Sequence, residues 1–225
     1  DQAEFRDYFR KWFVGILPAL LDDTVVNHEI LVLIGEQGLY KTTWFNFLLP
    51  PELRCYFYTK TNSDRLNKDD LFSLTEFALI CFEELDGMRP AELNQLKAMV
   101  TMPYVNERAA YGRNKERHPH IASFCGTGNN VQFLTDPTGN RRWLPFEVSQ
   151  IRDPHLHAIP YELVYSQAYA LWKSGFCHWF SQEEIRKLNM HNSRFEVPNL
   201  EEDLIRTHFR KPFEGEAGIF VTAAD

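Results

Sequence analysis

Apolar side chains at Phe5, Phe9, Trp12, Phe13, Ile16, Leu17 and Leu20 recur at helical spacing, with Arg6, Arg10 and Lys11 between them. That periodicity predicts a helix over residues 4–21. The pattern then changes. Ile30-Leu31-Val32-Leu33-Ile34 is solidly apolar and ends at a glycine, as a strand buried on both faces of a parallel sheet does. Thr42 to Leu49 reads as a helix stopped by Pro50-Pro51, and Lys68 to Leu74 as a second one capped by Asn67. A second apolar run, Phe77 to Phe82, predicts another buried strand, and Pro90 suits the first turn of a helix carrying Leu93, Leu96 and Val100. Residues 101–120 lose periodicity and turn basic. Ile121 to Cys125 and Trp143 to Val148 predict two further strands. Beyond residue 150 the text is mostly helical: Tyr161 to Trp172 runs up to Gly175, Ser181 with Glu184 forms a capping box, and Asn199 with Glu202 offers another.

Buried strands separated by helices predict an α/β fold with a mostly parallel sheet flanked by helices. Three segments follow: an N-terminal helical segment (1–28), a core (29–150) and a C-terminal helical appendage (151–225). The chain opens inside a helical pattern and stops without a natural ending, so a fragment of a longer protein, with a truncated appendage, is expected. Composition narrows the picture. At 44% apolar and 14% aromatic, 225 residues can bury a substantial core. A formal charge of −7 argues against a surface coated with cations for duplex DNA, although a local basic site needs only a few. Cys55, Cys81, Cys125 and Cys177 form no Cys-x-x-Cys pair, which disfavours zinc or disulfides and fits a reduced, cytoplasmic setting. No apolar run approaches the ~18 residues that cross a membrane.

The first strand runs into Gly35-Glu36-Gln37-Gly38-Leu39-Tyr40-Lys41-Thr42-Thr43 and then a helix. A glycine-bearing loop in that position aims backbone N–H groups at phosphate oxygens. The spacing matches a phosphate-binding P-loop, with Lys41 reaching the β- and γ-phosphates of ATP and the Thr42 hydroxyl holding Mg2+. Tyr40 stands where the usual pattern has glycine. A tyrosine at positive φ is strained and cannot match glycine's close approach, so weak nucleotide affinity or a reshaped loop is expected. An ordinary strand-to-helix turn with a surface lysine is the plain alternative.

Glu83 and Glu84 end the second strand, where a nucleotide–magnesium site needs carboxylates. Glu83 is assigned to the metal and Glu84 to the attacking water, with the reverse order left open; two solvated acids capping a strand are the plain alternative. Asp86 is either a third acid or a turn residue. At the end of the third strand Asn129, or else Thr127, can hydrogen-bond the γ-phosphate or the water, although Gly-Thr-Gly-Asn is also turn chemistry. Arg141 and Arg142 follow a turn at 136–140, and a guanidinium directed at a neighbouring subunit's γ-phosphate can accelerate hydrolysis by ~10³–10⁵. A solvated arginine pair is the alternative. Arg108, Arg113, Lys115 and Arg117, interleaved with Tyr104 and Tyr111, can track a single nucleic-acid strand and stack its bases, or form a solvated hairpin.

Taken in order, Gly35 to Thr42, Phe82 to Leu85, Leu93 to Lys97, Gly126 to Asn129 and Asp136 to Phe146 resemble the virulence-associated E (VirE/VapE-like) family. That family is similar to phage and plasmid primase-helicases with a superfamily 3 motor. The resemblance implies an AAA-like P-loop NTPase core, a hexameric ring around single-stranded DNA, and a primase-like region upstream. It places Lys41 and Thr42 in the phosphate loop, Glu83 and Glu84 in the acidic motif, Asn129 at the sensor and Arg141 or Arg142 at the finger. Lys97 and Arg108 fall near the DNA-facing segment. The expected function is an ATP-dependent helicase or translocase module in mobile-element replication. The alternative is a nucleotide-gated binding module for DNA or protein that does not hydrolyse productively.

Overall fold

The computed structural model describes residues 2–61, 68–107, 116–135 and 140–198, together with 204, 205, 207–210, 216 and 218. Helix α1 (Gln2–Leu21) precedes β1 (Ile30–Ile34), α2 (Lys41–Asn46), β2 (Phe57–Lys60), α3 (Lys68–Glu76) and β3 (Leu79–Phe82). There follow α4 (Pro90–Val100), β4 (Tyr104–Glu107), β5 (Glu116–Pro119), β6 (Ser123–Gly128), β7 (Trp143–Glu147), α5 (Tyr161–Lys173) and α6 (Gln182–Asn192). Five strands form one sheet in the order β2-β3-β6-β1-β7, with every neighbouring pair parallel. All strands therefore end along the same edge.

Side-chain alternation divides the core into two apolar layers. Leu31 and Leu33 of β1, Cys81 of β3, Cys125 of β6, and Leu144 and Phe146 of β7 face one layer. Ile30, Val32 and Ile34, with Ile80, Phe82, Phe124 and Trp143, face the other. Strands buried on both faces leave no room for polar alternation, which is why they are solidly apolar in sequence. The first layer is closed by α1, whose Trp12, Phe13, Ile16 and Leu17 are buried, by Phe45 of α2, and by Ala168 and Leu188 of α5 and α6. Leu74 of α3 and Leu93, Leu96 and Val100 of α4 close the second. Each fully buried large side chain contributes roughly 1.5–3 kcal/mol. Trp12 also fixes α1 to the sheet: its indole N–H donates to the Phe124 carbonyl at 2.8 Å. The N-terminal and C-terminal helices thus form a layer on the sheet rather than a separate lobe.

Two features differ from the sequence expectation. An edge strand, β2, follows a 3-10 turn at Pro51–Tyr56; it is four residues long and mostly half-buried, so it carries no solid apolar run. Within residues 101–120, read as aperiodic, β4 and β5 pair as an antiparallel hairpin with Tyr104 opposite Pro119 and Asn106 opposite Arg117. Residues 108–115, between these two strands, lie outside the described residues, as do the expected cap at Asn199 and residues 136–139 of the expected turn. Elsewhere the boundaries move only slightly. The helix expected from Thr42 to Leu49 spans Lys41–Asn46 before a turn, and the third buried strand starts at Ser123 and extends to Gly128. Among the described residues, no helix is long and apolar enough to cross a membrane.

Candidate active site

At the carboxyl edge of the sheet, β1, β3 and β6 deliver three loops to one cleft of about 270 Å³. Gln37 to Thr43 line it from the first loop, Glu83 and Glu84 from the second, and Thr127 and Asn129 from the third. The loop after β1 is tightly tied down. Gly35 donates its N–H to the Gly128 carbonyl (3.1 Å), and Val148 N–H donates to the Ile34 carbonyl (2.7 Å). A Cβ at Gly35 would lie 2.3 Å from the Val148 carbonyl oxygen, so only glycine fits there.

Gly38 lies at φ 87 and Tyr40 at φ 61, ψ 21. The tyrosine therefore accepts the left-handed conformation that a glycine would take without strain, at a cost of roughly 1–2 kcal/mol. Glu84 does the same at φ 54. Two strained residues bordering one cleft fit the tendency of such conformations to gather at functional sites.

Lys41 is buried to 8% exposure. Its ammonium donates to the Gly35 carbonyl (2.6 Å), the Glu36 carbonyl (2.8 Å) and Asn129 Oδ1 (3.3 Å). Loss of hydration lowers its pKa below the ordinary lysine value, and the charge of Asp86 partly restores it. Thr42 donates its hydroxyl proton to Glu83 Oε1 at 2.7 Å. Two hard oxygen donors, one from the first turn of α2 and one from the residue after β3, thus stand side by side. Glu84, next in sequence, is exposed at the cleft wall.

Asp86 has a clear structural role. Its carboxylate accepts the backbone N–H groups of Asn129 (3.1 Å) and Asn130 (3.0 Å), binding the loop after β3 to the loop after β6. It thereby holds in place the asparagine that Lys41 touches. The sequence left Asp86 as either a third acid or a turn residue, because its partners lie more than forty positions away. A second unforeseen support is the buried pair of Lys60 and Asp70, with Nζ–Oδ1 at 2.6 Å and Nζ–Oδ2 at 2.8 Å. The Lys60 carbonyl in turn accepts the N–H of Glu83 at 2.9 Å.

The other singled-out residues lie elsewhere. Arg141 and Arg142 form a 3-10 turn at the amino end of β7. In a parallel sheet that is the edge opposite the cleft, one five-residue strand or about 16 Å away. Lys97, on α4, is only 7% exposed. Arg117 is exposed on β5, its guanidinium stacked 3.5 Å from the Tyr104 ring centroid. Arg108, Arg113 and Lys115 lie outside the described residues.

Near the arginine turn, Glu29 precedes β1. Loss of hydration pushes its carboxyl from an ordinary 4.5 up to about 7, against the opposing pull of backbone hydrogen bonds, Lys11 and Arg142. A raised folded-state pKa means that this group's stabilisation is full below 4.5 and is lost as pH rises through about 7. Glu29→Gln is therefore expected to raise the melting temperature at pH 8.5 by about 3–6 °C, equivalent to about 1–2 kcal/mol in a domain of this size. At pH 5 it should change little. Thermal melts at the two pH values check this.

No curated protein matches the chain in sequence. Among solved structures it resembles the apo NrS-1 C-terminal region (305–718), with TM-score 0.49 and 16% identity over 92% of this chain and 48% of that one. Two A-form apo structures of the same region give TM-scores of 0.46 and 0.44 at 14% and 13% identity, covering 92% and 82% of this chain. The chain thus spans about half the length of the first of these. Residues 1–197 match the virulence-associated protein E-like domain, from the first turn of α1 to just past α6. With the whole sheet and its covering helices inside that match, the chain belongs to the virulence-associated protein E-like family.

Proposed function

We propose that the cleft binds ATP with Mg2+ and hydrolyses it, and that the chain is the motor module of an ATP-dependent helicase or translocase acting on single-stranded DNA. The observation that carries this reading is the meeting of Lys41, Thr42, Glu83 and Asn129 at the ends of three neighbouring elements. A phosphate-binding cation, a hydroxyl–carboxylate pair and a polar sensor are the groups that phosphoryl transfer to water needs.

The donor set fits magnesium. Thr42 and Glu83 offer hard oxygens 2.7 Å apart, and no cluster of three metal-ligating side chains exists among the described residues. That composition suits an ion that takes one or two protein oxygens and completes its shell with phosphates and water. Thr42 and Glu83 would hold it; when bound, it neutralises charge on the β- and γ-phosphates. Lys41 exchanges its loop carbonyls for phosphate oxygens. Glu84 orients the attacking water, and Asn129, fixed by Asp86, contacts the γ-phosphate. Arg141 and Arg142 cannot reach the cleft of their own chain, since an arginine side chain spans far less than a five-residue strand. They act on a neighbouring subunit's nucleotide, which calls for a closed ring, in the full-length protein a hexamer beside an upstream primase-like region.

Arg117, stacked on Tyr104 at the base of the β4–β5 hairpin, starts the basic track for single-stranded DNA. If the four cations Arg108, Arg113, Lys115 and Arg117 each meet a phosphate, log affinity falls with log salt at a slope of about −3. A fluorescence-anisotropy salt titration checks this, and a flat response removes DNA as a partner.

Steady-state ATP hydrolysis with and without single-stranded DNA tests the motor reading: DNA-stimulated turnover is expected. A second reading, a nucleotide-gated module without hydrolysis, is favoured by one observation, the strained Tyr40 at the phosphate loop. It predicts nucleotide binding without turnover in an assembled ring.

A further inference from the structure

Helix α2 carries Lys41 and Thr42 in its first turn and is only six residues long. A helix that short has little stability of its own, so its place depends on what holds it from outside. The turn that follows satisfies the helix's own carbonyls: Phe47, Leu48 and Leu49 donate their N–H groups to Thr43, Phe45 and Asn46. The carbonyls of Phe47, Leu48 and Leu49 come next. Three and four positions beyond Phe47, where a helix would supply the donor, stand Pro50 and Pro51. Proline has no N–H to give. The residues that end the helix therefore cannot cap it.

Side chains from elsewhere take over. Tyr161 donates its hydroxyl proton to the Phe47 carbonyl (2.7 Å) and Tyr165 to the Leu48 carbonyl (3.0 Å), while Arg54 Nε donates to the Leu49 carbonyl (3.2 Å). Arg54 also donates to the Tyr161 hydroxyl oxygen (3.1 Å), and its guanidinium stacks 3.8 Å from the Phe47 ring centroid. The tyrosines lie four positions apart on α5, so one face of that helix presents both. Burial, with a smaller contribution from Tyr161, pushes the Tyr165 phenol from 10.0 up to about 12, which keeps it a proton donor. At the other end of the loop, Val148 donates its N–H to the Ile34 carbonyl, and its own carbonyl oxygen abuts Gly35. The stretch from Val148 to Tyr165 thus grips the phosphate loop and α2 at both ends.

Resting on the nucleotide reading of the cleft, we infer that Tyr161 and Tyr165, steadied by Arg54, are positioning residues for the magnesium site: by capping α2 they fix Thr42 against Glu83. Neither tyrosine lines the cleft. Helix α5 then has a function beyond covering the sheet, because it sets the geometry of a site it does not touch.

Tyr161→Phe combined with Tyr165→Phe removes two hydroxyls and keeps both rings, so the packing beneath α2 is retained. Two measurements on the full chain separate positioning from mere stability. Without nucleotide, amide hydrogen exchange across residues 45–49 is expected to quicken about tenfold. In calorimetric titrations with ATP, the factor by which magnesium tightens binding is expected to fall about tenfold, because Thr42 loses its fixed place beside Glu83. Binding without magnesium should stay within about twofold of wild type, since the flexible stem of Lys41 still lets it reach phosphate. A variant that is only less stable binds with fewer competent molecules and keeps the wild-type magnesium factor. That result, or unchanged exchange at 45–49, overturns the inference. Failure of wild type to bind ATP overturns the nucleotide reading instead, and the positioning role with it.

Discussion

Replacing Lys41 with alanine is expected to lower ATP turnover by about 10²–10³, the usual consequence of removing one well-placed charge from a transition-state site. The ammonium is already inside the cleft, held by the Gly35 and Glu36 carbonyls and Asn129. Phosphate oxygens offer a negative partner where neutral carbonyls now serve, so the lysine gains on ligand binding and gains further as charge grows on the γ-phosphate. Folding should suffer little. Alanine leaves two carbonyls at the rim of a cleft that water can reach, a loss of about 1 kcal/mol. The variant should therefore melt within about 4 °C of wild type. Turnover assays paired with thermal melts check both halves. A large drop in melting temperature would mean that the lysine is primarily a structural tie of its own loop.

The second large effect concerns stability. Lys60 and Asp70 are 7% and 6% exposed and paired at 2.6 Å. Asp70→Ala leaves an ammonium buried without its counter-charge and is expected to destabilise the chain by about 3–5 kcal/mol. In a domain of this size that is a fall of about 6–20 °C. Replacing both residues together, Lys60→Met with Asp70→Leu, removes the desolvation penalty along with the attraction, and most of the lost stability should return. Thermal denaturation of the single and double variants checks the account; equal destabilisation by both would show that the pair's charges are not the cause. Activity should follow, because the Lys60 carbonyl anchors the N–H of Glu83, the carboxylate paired with Thr42.

The double-sided burial of the sheet explains why so much of the fold was legible. Strands β1, β3, β6 and β7 are walled by helices on both faces, and only unbroken apolar runs satisfy that environment. Their order was not legible, because sequence spacing does not reveal that β6 lies between β3 and β1. Strand β2 was missed because an edge position asks for less burial, and its one buried side chain is a lysine whose partner lies ten residues on. The hairpin was blurred by charge: among its strand residues whose side chains are described, only Val105 is buried in the two apolar layers.

In the cleft, Lys41, Thr42 and Glu83 could be named from motif spacing alone, since each follows immediately from a buried strand or its loop. Long-range ties carry no such mark. The grip of Asp86 on the Asn129 loop and the contact of Val148 with Gly35 join segments far apart in sequence, and only folding brings them together. Tyr40 was recognised as a departure, and the structure places it at positive φ. The tyrosine thus takes the backbone conformation the loop requires and bears the strain. The position of Arg141 and Arg142 followed from topology: a turn before a parallel strand must sit at the edge away from the strand ends.

Calorimetric titration of the full chain with ATP, with and without magnesium, tests the central claim most directly. The account predicts binding by wild type that tightens with magnesium and weakens in Lys41→Ala. Absence of binding under both conditions, or equal binding by wild type and Lys41→Ala, would contradict it.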